Sequence, residues 1–202
     1  MNPVEELFER YPRLAGCGAE IARSLDLLLG CYRAGGKVLV CGNGGSAADA
    51  EHIVGELLKR FRRRRPVDAG LAAKLPADLA AKLEGALPAV SLVSMSGILT
   101  AFANDVAWET AFAQQVCGLG RPGDVLVALS TSGNSANCVN AALVARAMGL
   151  KVIAFTGAGG GRLAAAADAA IRVPETETYK VQELHLPVYH ALCAALEESL
   201  FP

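Results

Sequence analysis

A repeated pattern of short apolar runs, each followed by a loop and a helix-like segment, constrains the fold of this chain most strongly. The runs are apolar along their whole length instead of alternating, which is typical of strands covered on both faces. Strands that alternate with helices favour a parallel sheet. We therefore predict an α/β fold, a three-layer αβα sandwich with a five-stranded parallel sheet. The predicted strands are residues 37–41, 89–93, 124–130, 151–156 and 169–173.

Helical periodicity completes the pattern. One or two helices are predicted within residues 3–33, and further helices at 135–148 and 181–201. The segment 64–88 breaks the rhythm with prolines and a short amphipathic stretch. We interpret it as an excursion that caps an edge or an interface, with a plain loop of one or two helical turns as the alternative. The chain of 202 residues is predicted to form a single domain, 1–202, with an N-terminal helical segment at 1–35.

Composition and charge exclude several classes of protein. The chain is 52% hydrophobic and 19% charged, so it can bury a sizeable core and is not disordered. A net charge of −1 argues against a general nucleic-acid binder, although a local basic patch stays open. The N-terminus lacks the pattern of a signal peptide, and no apolar run is long enough to span a membrane. We expect a cytoplasmic protein that binds neither nucleic acid nor membrane.

The cysteines are expected to be reduced thiols. No pair has the CxxC spacing of a zinc or redox motif, and several cysteines fall in apolar segments, which predicts that most are buried. Reduced thiols suit the cytosol. The six positions are 17, 31, 41, 117, 138 and 193.

Two loops stand where open parallel sheets bind ligands, beyond the carboxyl ends of strands. In the first, residues 42–46 with sequence GNGGS, the glycines let the backbone approach a ligand, and Ser46 is expected to cap the next helix. The second, residues 130–135 with sequence STSGNS, places four hydroxyls beside a predicted helix N-terminus. This arrangement predicts a phosphate cradle. An ordinary strand–helix turn is the alternative for each loop, more so for the first.

Neither loop fits a nucleotide-binding motif. The second lacks the lysine of a Walker loop, which disfavours nucleoside triphosphate chemistry. The first has only part of the GxGxxG pattern, because Ala47 follows where a dinucleotide fold wants a further glycine.

His52 and Glu56 are four residues apart on the helix predicted after the first loop, so they share one face. Such a pair can bind a metal or transfer a proton, although a plain hydrogen bond is its commoner role. Gln182 and His190 lie on the last predicted helix and could border the same cleft. They are about 12 Å apart on an ideal helix, so they meet only at a point between them or if the helix bends. Pro187 could supply the bend or begin a new helix.

A basic run, residues 59–65, follows the His52 helix. Positive charge is favourable at a helix C-terminus, so a solvated helix end is the simplest interpretation. Arg60 stands four residues after Glu56, which predicts that it shares the same face and could meet a phosphate or a sugar hydroxyl.

Four motifs together resemble the phosphoheptose isomerase branch of the SIS-domain family: CGNGGSAADAEH, DVLVALSTSGNSANC, KVIAFTGAGGG and ETYKVQELH. They occur in the family's order and spacing from about residue 36 to the end. The STSGNS element marks SIS domains in general, whereas GNGGSxxxAxH paired with VQExH is more specific to this branch. The resemblance implies a flavodoxin-like SIS domain that forms homotetramers. It also implies an isomerase that converts sedoheptulose 7-phosphate to D-glycero-D-manno-heptose 7-phosphate through an enediol.

The resemblance also implies roles for individual residues. The phosphate and nearby sugar oxygens would be held by Ser46, Ser130, Thr131, Ser132 and Ser135. One zinc ion per site would be surrounded by His52, Glu56, Gln182 and His190. Glu56 and His190 would transfer the proton, and which of them is the base stays open. Other substrate contacts would come from Asn43, Gly44, Gly45, Arg60, Asn104, Asp105 and Gln182. The chain departs from many members in a longer stretch at 67–87 and in Pro187.

Two other functions stay open. A close branch of the fold serves as a tetrameric partner of the replication initiator, a scaffold without known isomerase activity. That function does not need His52, Glu56, Gln182 and His190 together, and this chain has all four. A phosphosugar sensor usually carries a fused DNA-binding segment, which we do not expect from this sequence.

Overall fold

A central parallel sheet organises the computed structural model, which describes residues 2–201. Its strand order is β2-β1-β3-β4-β5, and every neighbouring pair is parallel. The strands are β1 (Val38–Cys41), β2 (Ala89–Ser91), β3 (Val125–Leu129), β4 (Lys151–Thr156) and β5 (Ala169–Arg172). Val38 lies opposite both Ala89 and Val125, which sets the register at the centre of the sheet. The predicted α/β class and the five parallel strands are confirmed.

Helices cover both faces of this sheet. They are α1 (Pro3–Arg10), α2 (Gly18–Arg33), α3 (Gly45–Leu58), α4 (Ala69–Ala72), α5 (Ala77–Ala80), α6 (Ser96–Asp105), α7 (Ala111–Leu119), α8 (Ala136–Ala147), α9 (Gly161–Ala165) and α10 (Thr178–Leu200), with 3₁₀ turns at Pro12–Cys17 and Trp108–Thr110.

Alternate residues of the strands face two separate apolar layers, because side chains along a strand point to opposite faces. Val38 and Val40 pack in the layer that contains residues of α2, α3 and α10. Leu39 and Cys41 pack in the other layer, with residues of α7 and α8. Since α3 and α10 share one layer, residues far apart in sequence can meet between them.

The last helix is longer and more continuous than predicted. It begins at Thr178, three residues before the predicted start, and passes through Pro187 without a break. The alternative that Pro187 begins a new helix is therefore wrong. Proline at this position removes the hydrogen bond to the carbonyl of Glu183, a residue on the exposed side of the helix.

The excursion at 64–88 is a loop with two single helical turns, α4 and α5. Its base is closed by an antiparallel bridge between Pro66 and Glu84, and the Gly85 N–H donates to the Arg65 carbonyl at 2.8 Å. Leu71, Leu79 and Leu83 are exposed on it. Its role as a cover for an edge or an interface stays a prediction.

The cysteines are free thiols, as their spacing predicted. All six cysteines are unpaired, and five of them are buried, with Cys117 exposed. Within residues 2–201, no helix combines the length and the apolar character needed to cross a lipid bilayer.

Candidate active site

The two glycine- and serine-rich loops follow β1 and β3 at the carboxyl edge of the sheet. β1 and β3 are neighbours, and β2 lies on the far side of β1, so the strand order reverses between them. Ligands of open α/β sheets bind at such a switch point. Asn43 in the first loop and Asn137 at the start of α8 link its two sides: each side-chain amide donates to the other's oxygen, at 2.9 and 2.8 Å. Asn137 was not predicted as a site residue, because nothing in the sequence pairs it with Asn43.

The first loop corrects one prediction. The N-cap of α3 is Gly44, and the buried Ser46 is already the second residue of the helix. Gly44 has a φ of +57°, a left-handed conformation that favours glycine. A Cβ atom at Gly45 would lie 2.6 Å from the amide nitrogen of Gln182. The side chain of Gln182 therefore lies directly against the start of α3.

The second loop forms a compact turn lined with hydroxyls. The Ser130 and Ser135 hydroxyls lie 2.9 Å apart, and the N–H of Asn134 donates to the Ser132 hydroxyl at 3.2 Å. Ser135 is the N-cap residue of α8, but its side chain accepts no hydrogen bond from the first N–H groups of the helix. The first N–H groups of α8 and the nearby hydroxyls can therefore donate hydrogen bonds to a bound anion.

Gly133 fixes the shape of this turn. Its φ is +67°, and a Cβ atom there would lie 1.9 Å from the carbonyl oxygen of Gly160. The turn is thus pressed against the loop that follows β4, and only glycine fits between them.

Three of the predicted catalytic and metal-binding side chains meet between α3 and α10. The His52 Nε2 atom lies 3.3 Å from a carboxylate oxygen of Glu56 and 3.4 Å from the Nε2 atom of His190. The other Glu56 oxygen pairs with the Lys59 ammonium at 2.8 Å. Burial, followed by the electrostatic effect of the neighbouring His52 ring, lowers the pKa of His190. This shift favours the neutral imidazole of His190, which can accept a proton.

Gln182 and the remaining histidine lie outside this cluster. Gln182 contacts Gly45, seven residues before His52 and about 10 Å away along α3. His185 is fully buried, with its Nε2 atom 3.3 Å from the Thr156 carbonyl. Burial lowers the pKa of His185 to about 4, against a smaller upward effect of that hydrogen bond. It is a neutral core residue.

Asn104 and Asp105 stand apart as well. They end α6, both are exposed, and their side chains hydrogen-bond to each other at 2.8 Å. Within the described part of the chain, neither makes a side-chain hydrogen bond to another predicted site residue.

Arg60 is the second correction. α3 ends at Leu58 and the backbone is extended at Lys59, so Arg60 does not share a helical face with Glu56. Its guanidinium pairs with Glu84 of the excursion at 3.1 Å and is largely exposed. The helical spacing failed as a guide because the helix stops before the spacing is complete.

Arg65, in the same basic run, ends the helix. Its guanidinium donates to the carbonyls of Leu57 and Glu56 at 2.7 and 3.1 Å, the last carbonyls of α3. It also pairs with Glu197 of α10 at 2.7 Å, and both side chains are fully buried. This pair fastens the end of the helix that carries His52 to the helix that carries His190.

The Glu197 carboxylate also accepts hydrogen bonds from the backbone. It accepts hydrogen bonds from the backbone N–H groups of Phe61, Arg62 and Arg63 at 2.7–2.8 Å. Burial acts to raise the pKa of Glu197, but these N–H groups and Arg65 together lower it further than burial raises it. The carboxylate is therefore ionised at neutral pH.

The cluster partly fits the zinc ion that the motifs imply. Two imidazoles and a carboxylate are donors that zinc prefers, and spacings of 3.3 and 3.4 Å match the roughly 3.4 Å between donors of a tetrahedral site with 2.0–2.1 Å bonds. However, within residues 2–201 no three or more His, Cys, Asp or Glu side chains form a complete metal-binding group. The donor types fit, and the Glu56 oxygen that faces His52 is not the one paired with Lys59, whereas a complete site needs a further ligand.

Comparison with known proteins defines the class. A sequence profile of the SIS domain matches residues 12–86 and 80–157. Together with the parallel sheet and the serine-rich turn, this match identifies a SIS-domain protein.

Full-length relatives narrow the class. A phosphoheptose isomerase of Rhodospirillum rubrum is 44% identical over 190 residues, which cover 94% of this chain and 91% of that protein. One from Akkermansia muciniphila is 38% identical over 200 residues, covering 99% and 96%. The solved phosphoheptose isomerase of Neisseria gonorrhoeae has a TM-score of 0.75 and 35% identity, covering 96% of this chain and 91% of that one. The solved phosphoheptose isomerase of Francisella tularensis has a TM-score of 0.76 and 31% identity, covering 96% of this chain and 94% of that one. The chain belongs to the phosphoheptose isomerase branch of the SIS-domain family.

Proposed function

We propose that this chain is an aldose–ketose phosphosugar isomerase that converts sedoheptulose 7-phosphate to D-glycero-D-manno-heptose 7-phosphate. The observation that carries the proposal is the meeting of His52, Glu56 and His190 at 3.3–3.4 Å, in a chain whose relatives are phosphoheptose isomerases. A scaffold function requires no such cluster. The comparisons therefore favour the isomerase over the replication-initiator partner.

The spacing between the two parts of the site suits a long substrate. Ser46, beside the phosphate cradle, and His52 are six residues apart on α3, or about 9 Å of helix. An open-chain heptose 7-phosphate carries its phosphate at the opposite end from the reacting carbons C1 and C2. The phosphate bound at residues 130–135 would then position those carbons near His190 with binding energy remote from the reaction.

Isomerisation moves a proton between two carbons. A base removes a proton from C1 of the ketose, the enediol forms, and an acid returns a proton to C2. Neutral His190 is able to accept the first proton, and Glu56 is its partner in the exchange. Their contacts with His52 support the proposal that both groups act from one side of the substrate. The pH dependence of turnover in variants of Glu56 and of His190 would show which of the two removes the first proton.

Zinc would supply Lewis-acid polarisation of the substrate carbonyl when bound. His52, Glu56 and His190 would hold it, with Gln182 as the further ligand that the motifs imply. Gln182 lies about 12 Å from His190 along α10, so it would need to move or to come from a neighbouring subunit.

A homotetramer is part of the proposal. Gln182, Asn104, Asp105 and Arg60 do not reach the cluster within one chain, and a neighbouring subunit could complete the site with them. Unpaired thiols and a net charge of −1 support a cytoplasmic enzyme acting on a phosphorylated sugar.

The test is turnover of sedoheptulose 7-phosphate, with and without added zinc, followed by NMR detection of the aldose. Glu56→Gln should lower kcat by about 10²–10⁴-fold without changing the circular dichroism spectrum, because it removes a proton-transfer group. Glu51→Gln, an exposed carboxylate on the same helix, is the matched control and should retain wild-type turnover. Near-normal turnover by Glu56→Gln would reject its role, and no turnover by the wild type would reject the substrate.

A further inference from the structure

A tyrosine hydroxyl stands behind His52, on the side away from Glu56 and His190. The Tyr189 hydroxyl oxygen lies 3.0 Å from His52 Nδ1 and 3.2 Å from a carboxylate oxygen of Asp49. Tyr189 is only 2% exposed and belongs to the apolar face of α10, next to Val188 and Leu192. A hydroxyl is costly on such a face unless it is hydrogen-bonded. Its two partners are both on α3, three residues apart.

The chemistry of the three groups sets the direction of these hydrogen bonds. A phenol has one proton to donate, and an ionised carboxylate can only accept. The second oxygen of Asp49 is buried and has no partner in the part of the chain that the structure describes. We therefore assign the phenol proton to the hydrogen bond from Tyr189 to Asp49. The Tyr189 oxygen is then free to accept a hydrogen bond, and His52 can supply it from Nδ1–H.

We propose that Asp49 and Tyr189 are positioning residues that hold His52 in its Nδ1–H tautomer. In that tautomer the Nε2 atom of His52 carries a lone pair, to which His190 can donate from its own Nε2–H at 3.4 Å. The Glu56 oxygen at 3.3 Å favours the Nε2–H tautomer instead, but this carboxylate already pairs with the Lys59 ammonium at 2.8 Å, which weakens it as an acceptor. The inference rests on the proposed function, in which His52 serves the reaction centre through Nε2. A metal-binding imidazole must present an unprotonated nitrogen, and its outer hydrogen-bond partner decides which nitrogen that is.

The tautomer can be measured directly in the metal-free protein. The chain has three histidines, so ¹³C and ¹⁵N side-chain shifts can be assigned with His52→Gln as a reference. Above the titration range, wild-type His52 should be in the Nδ1–H form. Tyr189→Phe should shift it toward Nε2–H, since the oxygen that accepts from Nδ1 is gone. Asp49→Asn should shift it in the same direction and serves as the second variant if Tyr189→Phe does not fold.

The matched control is Tyr32→Phe. The Tyr32 hydroxyl is also buried but has no hydrogen-bond partner within the described residues, so its removal should leave the His52 tautomer unchanged. Zinc affinity of the full chain, measured by competition with a chromophoric chelator, should fall by about 10–100-fold in Tyr189→Phe. Affinity should not change in Tyr32→Phe.

The outcomes separate this inference from the proposed function. An Nε2–H tautomer in the wild type, or an unchanged tautomer in both Tyr189→Phe and Asp49→Asn, would overturn the positioning role. If the wild type neither binds zinc nor isomerises the heptose phosphate, the proposed function fails. The tautomer measured without metal would still decide whether Asp49 and Tyr189 orient His52.

Discussion

Glu197→Gln is a direct test of the buried ion pair that joins α3 to α10. The carboxylate receives three backbone N–H groups, from Phe61 to Arg63, and the Arg65 guanidinium. Glutamine retains one of the two acceptor oxygens and presents an NH₂ group in place of the other. If the retained oxygen stays with Phe61 and Arg65, the NH₂ group faces the N–H groups of Arg62 and Arg63, two donors with no acceptor.

Two separate estimates give a similar loss in the free energy of unfolding for Glu197→Gln. Two hydrogen bonds to a charged group are worth about 3–6 kcal/mol together, at about 1.5–3 kcal/mol each. Removal of one member of a buried ion pair costs about 3–5 kcal/mol, because the other charge is left without a partner. We expect the free energy of unfolding to fall by about 3–5 kcal/mol, which lowers Tm by roughly 6–20 °C for a chain of this size.

The assay is urea unfolding at pH 7.5 and fixed protein concentration, with the m value compared between variants. Glu198→Gln is the matched control, since Glu198 pairs with Arg63 at 3.5 Å in a partly exposed setting and should lose less than about 1 kcal/mol. The double variant Arg65→Met with Glu197→Leu should not recover the loss, because the N–H groups of Phe61, Arg62 and Arg63 are then left without an acceptor. Equal losses for Glu197→Gln and Glu198→Gln would refute the argument.

The same carboxylate and the serine-rich turn give two further predictions. Because the pKa of Glu197 is lower in the folded state, its contribution to stability is complete above the unfolded value of about 4.3 and is lost as pH falls through the folded value. Acid titrations of unfolding should therefore show a shallower decline below pH 4 in Glu197→Gln than in the wild type, and parallel curves would contradict this. Gly133→Ala should raise KM for the phosphosugar at least tenfold, because its methyl group would overlap the Gly160 carbonyl 1.9 Å away. Gly123→Ala shares a positive φ but meets no atom within 4 Å, so it should leave KM unchanged, and an equal rise in both would assign the effect to backbone strain.

The sheet and the loops at its edge could be predicted because their signals are local. Five apolar runs and the glycines and serines that follow β1 and β3 carry their information within a few residues. The meeting of His52 with His190 was also predictable in outline, since helical spacing and scarce histidines pointed to two helices.

The end of α3 could not be predicted, because a contact distant in sequence sets it. Nothing between Lys59 and Arg65 breaks a helix in the way that glycine or proline would. Arg65 instead returns to the last carbonyls and is held there by Glu197, 132 residues later. Arg60 was misplaced for this reason.

Tyr189 escaped prediction for a related reason. Its position on α10 belongs to an apolar face, and its sequence neighbours give no sign that its hydroxyl reaches α3. Only the packing of the two helices in one layer shows that Asp49 and His52 are its partners.

The separation between Tyr189 and His52 along the chain, 137 residues, has a consequence for biosynthesis. At translation rates of about 5–20 residues per second, His52 leaves the ribosome roughly 7–27 s before Tyr189. Throughout that interval the apolar side of the first core helix lacks the surface that later covers it. A nascent chain stalled short of its final helix would thus expose an apolar surface that chaperones bind. Synthesis of that helix would be the step that commits the polypeptide to its native state.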